Sequence, residues 1–268
     1  MVTASFRFYE QLNDFLPRAR RGREFATPCA RAATVKHMIE ALGVPHTEVE
    51  LVLVNGESSG FDRLLAEGDR VAVYPKCDTA DIAPPLRVRA RPLVASPARP
   101  RFVADAHLGG LARLLRMAGF DTLYDNRYHD HEIVAIALDE DRVVLTRDRE
   151  LLKRRTLTHG CYLHALKPAQ QFQELFDRLD LAASARPFTI CLHCNLPLRS
   201  VAKADVLDRL PPSVRELHDE FNTCDCCGRV FWRGSHHKRM TELLAGVTDA
   251  ARRLPAAVES AANPAPGP

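Results

Sequence analysis

Phe102-Val103-Ala104-Asp105, Thr122-Leu123-Tyr124-Asp125 and Val143-Val144-Leu145-Thr146-Arg147-Asp148 are three short apolar runs, each followed within two residues by an aspartate. The segments between them have a different period. Leu108, Leu111, Leu115 and Ala118 fall on one helical stripe that Gly119 stops, and Ile133, Ile136 and Ala137 form another just after Asp130 and Glu132. Strand-like runs alternating with helical ones predict a parallel sheet wrapped by helices, an α/β fold. Ligands of such sheets gather at the carboxyl ends of the strands. The pattern therefore delivers Asp105, Asp130 and Asp148, with Asp125 and Glu132 beside them, to one edge. Each acid also has a plainer use. Asp130 and Glu132 suit the positive end of a helix, and Asp148 can cap the helix bearing Leu151 and Leu152. Acids recurring at matching topological positions favour a cluster over isolated caps.

Downstream, Cys161-Tyr162-Leu163-His164-Ala165-Leu166 reads as a fourth strand, and residues 168–181 as a closing helix with Phe172, Leu175, Phe176 and Leu179 on its core face. This domain spans residues 101–183. Residues 184–245 carry Cys191-Leu192-His193-Cys194 and Cys224-Asp225-Cys226-Cys227. Two C-x2-C knuckles across a long spacer predict one tetrahedral zinc held by Cys191, Cys194, Cys224 and Cys227, a closed structural site with Cys226 as a spectator. Gly228 supplies the tight turn after the second knuckle. Residues 246–268, rich in Ala and Pro, read as a helix end and a disordered tail.

Upstream, residues 1–78 have their own pattern. Ser5-Phe6-Arg7-Phe8-Tyr9 and residues 23–28 read as strands, and residues 34–42 as a helix capped by Thr34 and stopped by Gly43. A strong strand then runs into the turn pair Asn55-Gly56, and Arg70-Val71-Ala72-Val73-Tyr74 is the last strand. Two strands, a helix and further strands predict a β-grasp, ubiquitin-like domain. Residues 79–100, with repeated Pro and Arg, read as an extended linker. Cys29 and Cys77 stand outside the knuckles and read as small buried hydrophobes.

Composition bounds the function classes. A net charge of +3 permits a nucleic-acid partner without demanding one. No apolar run approaches the ~20 residues that span a bilayer, and no signal-peptide core opens the chain, so the expectation is a cytoplasmic protein with no membrane role.

The motifs quoted around Asp105 and Asp148, with Leu108-Gly109-Gly110-Leu111-Ala112-Arg113-Leu114-Leu115-Arg116 and Arg229-Val230-Phe231-Trp232-Arg233-Gly234-Ser235-His236, resemble the mut-seven C-terminal RNase family. Its members are PIN-like ribonucleases ending in a zinc ribbon, some preceded by a ubiquitin-like domain. The N-terminal segments Leu51-Val52-Leu53-Val54-Asn55-Gly56 and Glu67-Gly68-Asp69-Arg70-Val71-Ala72-Val73-Tyr74-Pro75 resemble the sulfur-carrier proteins, without their terminal Gly-Gly. The first resemblance implies a PIN-like three-layer core and metal-dependent RNA cleavage. It matches Asp105 to the aspartate closing the first strand, Asp130 to the acid opening the helix before the last active-site strand, and Asp148 to the aspartate following Thr-Arg.

Carboxylates suit such chemistry because they offer hard oxygens to Mg²⁺ or Mn²⁺, which lower the pKa of an attacking water and neutralise charge developing on phosphate. Arg113, Arg116, Arg147 and Arg149 are candidate phosphate contacts, and Trp232 is a candidate stacking platform for single-stranded RNA. The alternatives are solvated or structural arginines and a Trp232 packed on the knuckle. The β-grasp domain is a candidate docking module for a protein partner. Two rival functions remain: an RNA-binding or adaptor protein without catalysis, and a sulfur-transfer accessory protein.

Overall fold

The computed structural model describes residues 1–75, 99–234, 237–238, 240–242 and 244–246. Most of the stretch read as a linker, the tail beyond residue 246, Cys77, Ser235 and His236 lie outside the described residues.

The N-terminal part is a five-stranded mixed sheet. Its strands are β1 (Val2–Phe8), β2 (Phe25–Cys29), β3 (Leu51–Val54), β4 (Glu57–Ser58) and β5 (Arg70–Tyr74), in the order β2-β1-β5-β3-β4. β1 and β5 run parallel at the centre while the other neighbours are antiparallel, which is the β-grasp arrangement. Helix α1 (Val35–Ala41) begins where Thr34 accepts the His37 backbone N–H, and it buries Val35 and Ile39 against Phe6, Phe8, Val52 and Val73. Asn55 and Gly56 both take left-handed φ, as the hairpin turn between β3 and β4 requires. Cys29 is fully buried in this core, and burial pushes its thiol up.

The central part is a four-stranded sheet of β6 (Phe102–Ala104), β7 (Thr122–Leu123), β8 (Val143–Thr146) and β9 (Gly160–Tyr162), all parallel, in the order β7-β6-β8-β9. Alternation along each strand sorts its side chains to opposite faces. Phe102, Ala104 and Leu145 pack under α2 (Gly109–Met117) and α5 (Pro168–Leu179). Val103 and Val144 pack with α3 (Asp130–Asp139) and α4 (Arg149–Leu152). Helices on both faces make the three layers. The Gly109-Gly110 pair is a packing requirement. A Cβ at Gly109 would meet the Tyr124 hydroxyl at 2.6 Å, and one at Gly110 would meet Pro168 of α5 at 2.5 Å. β9 is shorter than its sequence pattern because the Glu174 carboxylate accepts the backbone N–H groups of His164 and Ala165, turning the chain away from the ladder.

The β-grasp part covers the outer edge of β9. Glu48, with its side chain 1% exposed, accepts the Tyr162 N–H and pairs with Arg178 of α5. Thr47 donates to the Leu152 carbonyl at 3.3 Å, and His46 Nε2 meets the Leu157 carbonyl at 2.9 Å. A buried carboxylate is tolerable only with such partners. Covering an edge strand also removes a template for unwanted strand pairing.

The C-terminal part is a small antiparallel sheet, β10 (Arg199–Val201), β11 (Phe221–Thr223) and β12 (Val230–Trp232), with two short helices, α6 (Lys203–Val206) and α7 (Pro212–Leu217), in its long loop. No helix among the described residues is long and apolar enough to cross a membrane.

Candidate active site and metal centre

Parallel strands with short connections bring the C-termini of β6, β7 and β8 to one edge, and the N-termini of the following helices start there. Asp105 follows β6 directly. One oxygen accepts the Ala106 N–H at 2.6 Å; the other accepts the Thr146 hydroxyl at 2.6 Å. The same Thr146 oxygen accepts the Asp148 N–H at 2.9 Å, and Asp148 in turn caps α4 by accepting the Glu150 N–H at 2.8 Å. Thr146 is fully buried, so a continuous hydrogen-bonded chain from Asp105 to Asp148 sets both acids against one buried hydroxyl. Sequence reasoning missed Thr146. Its preceding position in the Thr-Arg-Asp motif was the available signal.

The other three acids have separate partners. Asp130 opens α3 and lies 3.7 Å from Arg154. Glu132 accepts the His129 N–H at 2.8 Å, closing the first turn of that helix. Asp125 is forked by Arg127 at 3.1 and 3.0 Å, and those hydrogen bonds hold its carboxyl below the usual range. Among the described residues, no three carboxylates or imidazoles bring ligand atoms mutually within 4.8 Å.

The four knuckle cysteines do. The sulfurs of Cys191, Cys194, Cys224 and Cys227 all lie within 4.8 Å of one another, and Cys226 is exposed outside the set. Cys191 and Cys227 are 3.8 Å apart at sulfur, the edge of a tetrahedron with metal–sulfur bonds of about 2.3 Å. Both knuckles close on a left-handed residue, Asn195 (φ 62°) and Gly228 (φ 67°). The Arg229 backbone N–H helps pull the Cys227 thiol down to about 7. These four thiols can hold one metal ion such as zinc.

The first knuckle is fastened to the central sheet by residues that looked like surface. Arg116 is buried, its guanidinium donating to the carbonyls of Thr122 (2.9 Å), Leu192 (3.2 Å) and His193 (3.0 Å). Its reading as a phosphate contact is therefore corrected: three carbonyls leave it no open face. Asn195 accepts the Thr122 N–H at 2.8 Å and donates to Asp121. Arg149 is half-buried and turned toward the β-grasp part. It lies over the Phe15 and Tyr162 rings and donates to the Phe15 carbonyl, binding the β-grasp part to the sheet. Arg147 is exposed, with Nε donating to the Leu163 carbonyl at 3.3 Å. Arg113 is exposed on α2. Trp232 is half-buried and packs against the small ribbon core of Val206, Leu210 and Phe221. Arg99, at the end of the stretch read as linker, is already anchored, donating to the carbonyls of Ser184 and Gly119.

The Mut7-C RNAse domain family matches residues 100–244, and the Mut7-C ubiquitin family matches residues 1–81. Two crystal structures of Haloferax volcanii small archaeal modifier protein 1 are similar at 21% identity. They cover 29% of this chain and 100% and 99% of their own, each with a TM-score of 0.24. No curated protein matches the chain.

Proposed function

This chain belongs to the Mut7-C RNAse domain family, and from that premise we propose that it hydrolyses phosphodiester bonds of single-stranded RNA at the carboxyl edge of β6 and β8. The observation that carries the reading is the Asp105–Thr146–Asp148 chain, in which one buried hydroxyl donates to the Asp105 carboxylate and accepts the Asp148 backbone N–H at the ligand-binding edge of a parallel sheet. Asp105 and Asp148 would hold a divalent ion, Mg²⁺ or Mn²⁺, with Asp130 at the start of α3 as a further candidate ligand. The donors fit: they are hard oxygens, and Mg²⁺ is commonly bound by one or two carboxylates with water completing its shell. When bound, such an ion activates water and neutralises charge on the phosphate. The Thr146 hydroxyl fixes the rotamer of Asp105, and the α4 N-terminus fixes that of Asp148. Exposed Arg147 and Arg113 are placed to meet flanking phosphates. The four thiolates take a structural Zn²⁺, leaving no open position for chemistry.

One observation favours the rival, an RNA-binding protein without catalysis: Asp125, Asp130 and Glu132 are each occupied by their own partner. Cleavage assays decide. Protein cleared of contaminating nuclease should cut single-stranded RNA only with added Mg²⁺ or Mn²⁺, and Asp105→Asn should lower the rate at least a hundredfold with zinc content unchanged. Equal cleavage by the variant removes the acid edge from the mechanism.

A further inference from the structure

A groove of about 510 Å³ lies between the ribbon sheet and the segment from Pro187 to Leu198, with Arg113 of α2 at its edge, within the ~300–1,000 Å³ typical of ligand pockets. We infer that this groove holds the bases of a single-stranded RNA whose backbone is presented to the acid edge. The inference rests on the ribonuclease reading and adds a binding subsite to it.

Three features select a nucleic-acid strand as the occupant. Aromatic residues line it: Phe188, packed on the His237 ring at 3.9 Å, on one side, and Phe231 and half-buried Trp232 on the ribbon side. Aromatic faces stack any base, since every base has a π-face. The rim is cationic. Arg113 is exposed with no ion pair among the described residues, and Arg233 is 74% exposed, its partner Glu220 lying 3.5 Å away on the same rim. Asn222, from β11, offers an amide to a base edge. A purely hydrophobic peptide would leave the Arg113 guanidinium without use.

The second feature is strain. Phe188 has a φ of 61°, a conformation rare for a bulky side chain. Its N–H donates to the Met117 carbonyl at the end of α2, so the surroundings hold it there. Strain of this kind concentrates at ligand sites. Gly234 belongs to the same construction: a Cβ there would meet the Trp232 indole nitrogen at 2.8 Å.

The third feature is continuity. α2 begins four residues after Asp105, beyond one 3-10 turn, and Arg113 lies in its second turn, on the order of 12 Å from Asp105 along the chain. A strand stacked in the groove therefore reaches the acid edge over the length of one helix, past the exposed guanidinium of Arg113.

Trp232 is the only tryptophan in the chain, so in the folded, zinc-loaded protein its fluorescence is read at the groove without interference from another indole. The full zinc-loaded protein, in buffer without Mg²⁺ or Mn²⁺, is titrated with an unstructured homopolymer RNA and separately with a blunt RNA duplex. Saturable quenching by the single strand and none by the duplex is expected. Arg113→Ala, on the exposed side of α2, should weaken binding several-fold and reduce the log–log salt slope by about 0.7. Trp232→Ala should weaken binding roughly ten- to a hundredfold and Trp232→Phe should largely restore it. RNA binding that leaves the fluorescence and the Arg113→Ala affinity unchanged overturns the groove, as does quenching by the duplex or no RNA binding at all. Asp105-dependent cleavage with a silent Trp232 sinks the groove alone. Quenching by the single strand with no cleavage in Mg²⁺ or Mn²⁺ sinks the hydrolytic reading alone.

Discussion

The four thiols of the ribbon and the acids of the sheet edge are both candidate metal ligands, yet they are held in opposite ways. The thiols converge, with two sulfurs 3.8 Å apart and all four within 4.8 Å. The acids are spaced, each against its own backbone N–H, hydroxyl or arginine. Protonated thiols carry no charge and can crowd; ionised carboxylates at the same range repel and disfavour joint ionisation. On the proposed reading, the difference separates two uses of a metal. A converged set of soft ligands makes a closed structural centre. A spaced set of hard ligands, tied by only part of its lone pairs, leaves room for water and a phosphate.

The largest break in that comparison is on the thiol side. Cys224 is fully buried at the heart of the ribbon, whose own apolar cluster is only Val206, Leu210 and Phe221 with a few partly buried neighbours. Structural zinc contributes apparent binding free energies of ~10–16 kcal/mol to small domains of this kind. Cys224→Ser, or chelation, should cost one equivalent of bound zinc and melt the ribbon, read as loss of fixed Trp232 fluorescence. Full zinc retention with an unchanged melting curve would mean that the sulfurs are merely packed.

A smaller effect is expected on the acid side, at the hydroxyl joining the two acids. Thr146→Val keeps the shape of a fully buried side chain and removes its only polar atom. One Asp105 oxygen and the Asp148 N–H then lose their partner. Both groups are only part-buried and can turn to water, so the cost is the net worth of a hydrogen bond, about 0.5–1.5 kcal/mol each, and the denaturation midpoint should fall with the m-value unchanged. Cleavage should fall with it, because both acids lose their common reference point. Unaltered stability and rate would show that the acids are positioned from elsewhere.

The contrast also governs what was readable in the sequence. The knuckles are local: C-x2-C spacing and a following left-handed residue lie within five positions of each other, so all four ligands were legible, although Asn195 as the counterpart of Gly228 was not. Strand and helix alternation was legible for the same reason, with Thr34 and Asp148 found as caps where their spacing placed them. Thr146 was missed because its partner across the edge is 41 residues away and depends on the β6–β8 register, in which Ala104 stands opposite Leu145. Arg116 was misread because an arginine three residues from Arg113 looks solvated until the ribbon folds back and supplies the carbonyls of Leu192 and His193. The seam between Glu48 and Arg178, 130 residues apart, left no local trace. Long-range polar partners decide these roles, and periodicity carries no record of them.

The smallest expected effect sharpens the comparison at a single carboxylate. Asp148 is exposed, with one oxygen capping α4 through the Glu150 N–H, and the proposed metal role would use its charge rather than that hydrogen bond. Asn and Asp cap helices about equally well, whereas Ala loses about 1 kcal/mol. Asp148→Asn should therefore melt with the wild type while losing metal affinity and cleavage together. Asp148→Ala should lose both activities and, in addition, a few degrees of melting temperature. Zinc content should be the same in all three proteins, since the knuckles share no ligand with the sheet edge. If Asp148→Asn binds Mn²⁺ and cuts RNA as well as the wild type, Asp148 is a cap and nothing more, and the hydroxyl-bridged pair reduces to Asp105 alone. If Asn and Ala destabilise equally, the cap is held by charge rather than by the hydrogen bond, and the loss of cleavage in either variant must be corrected for unfolding before it says anything about a metal.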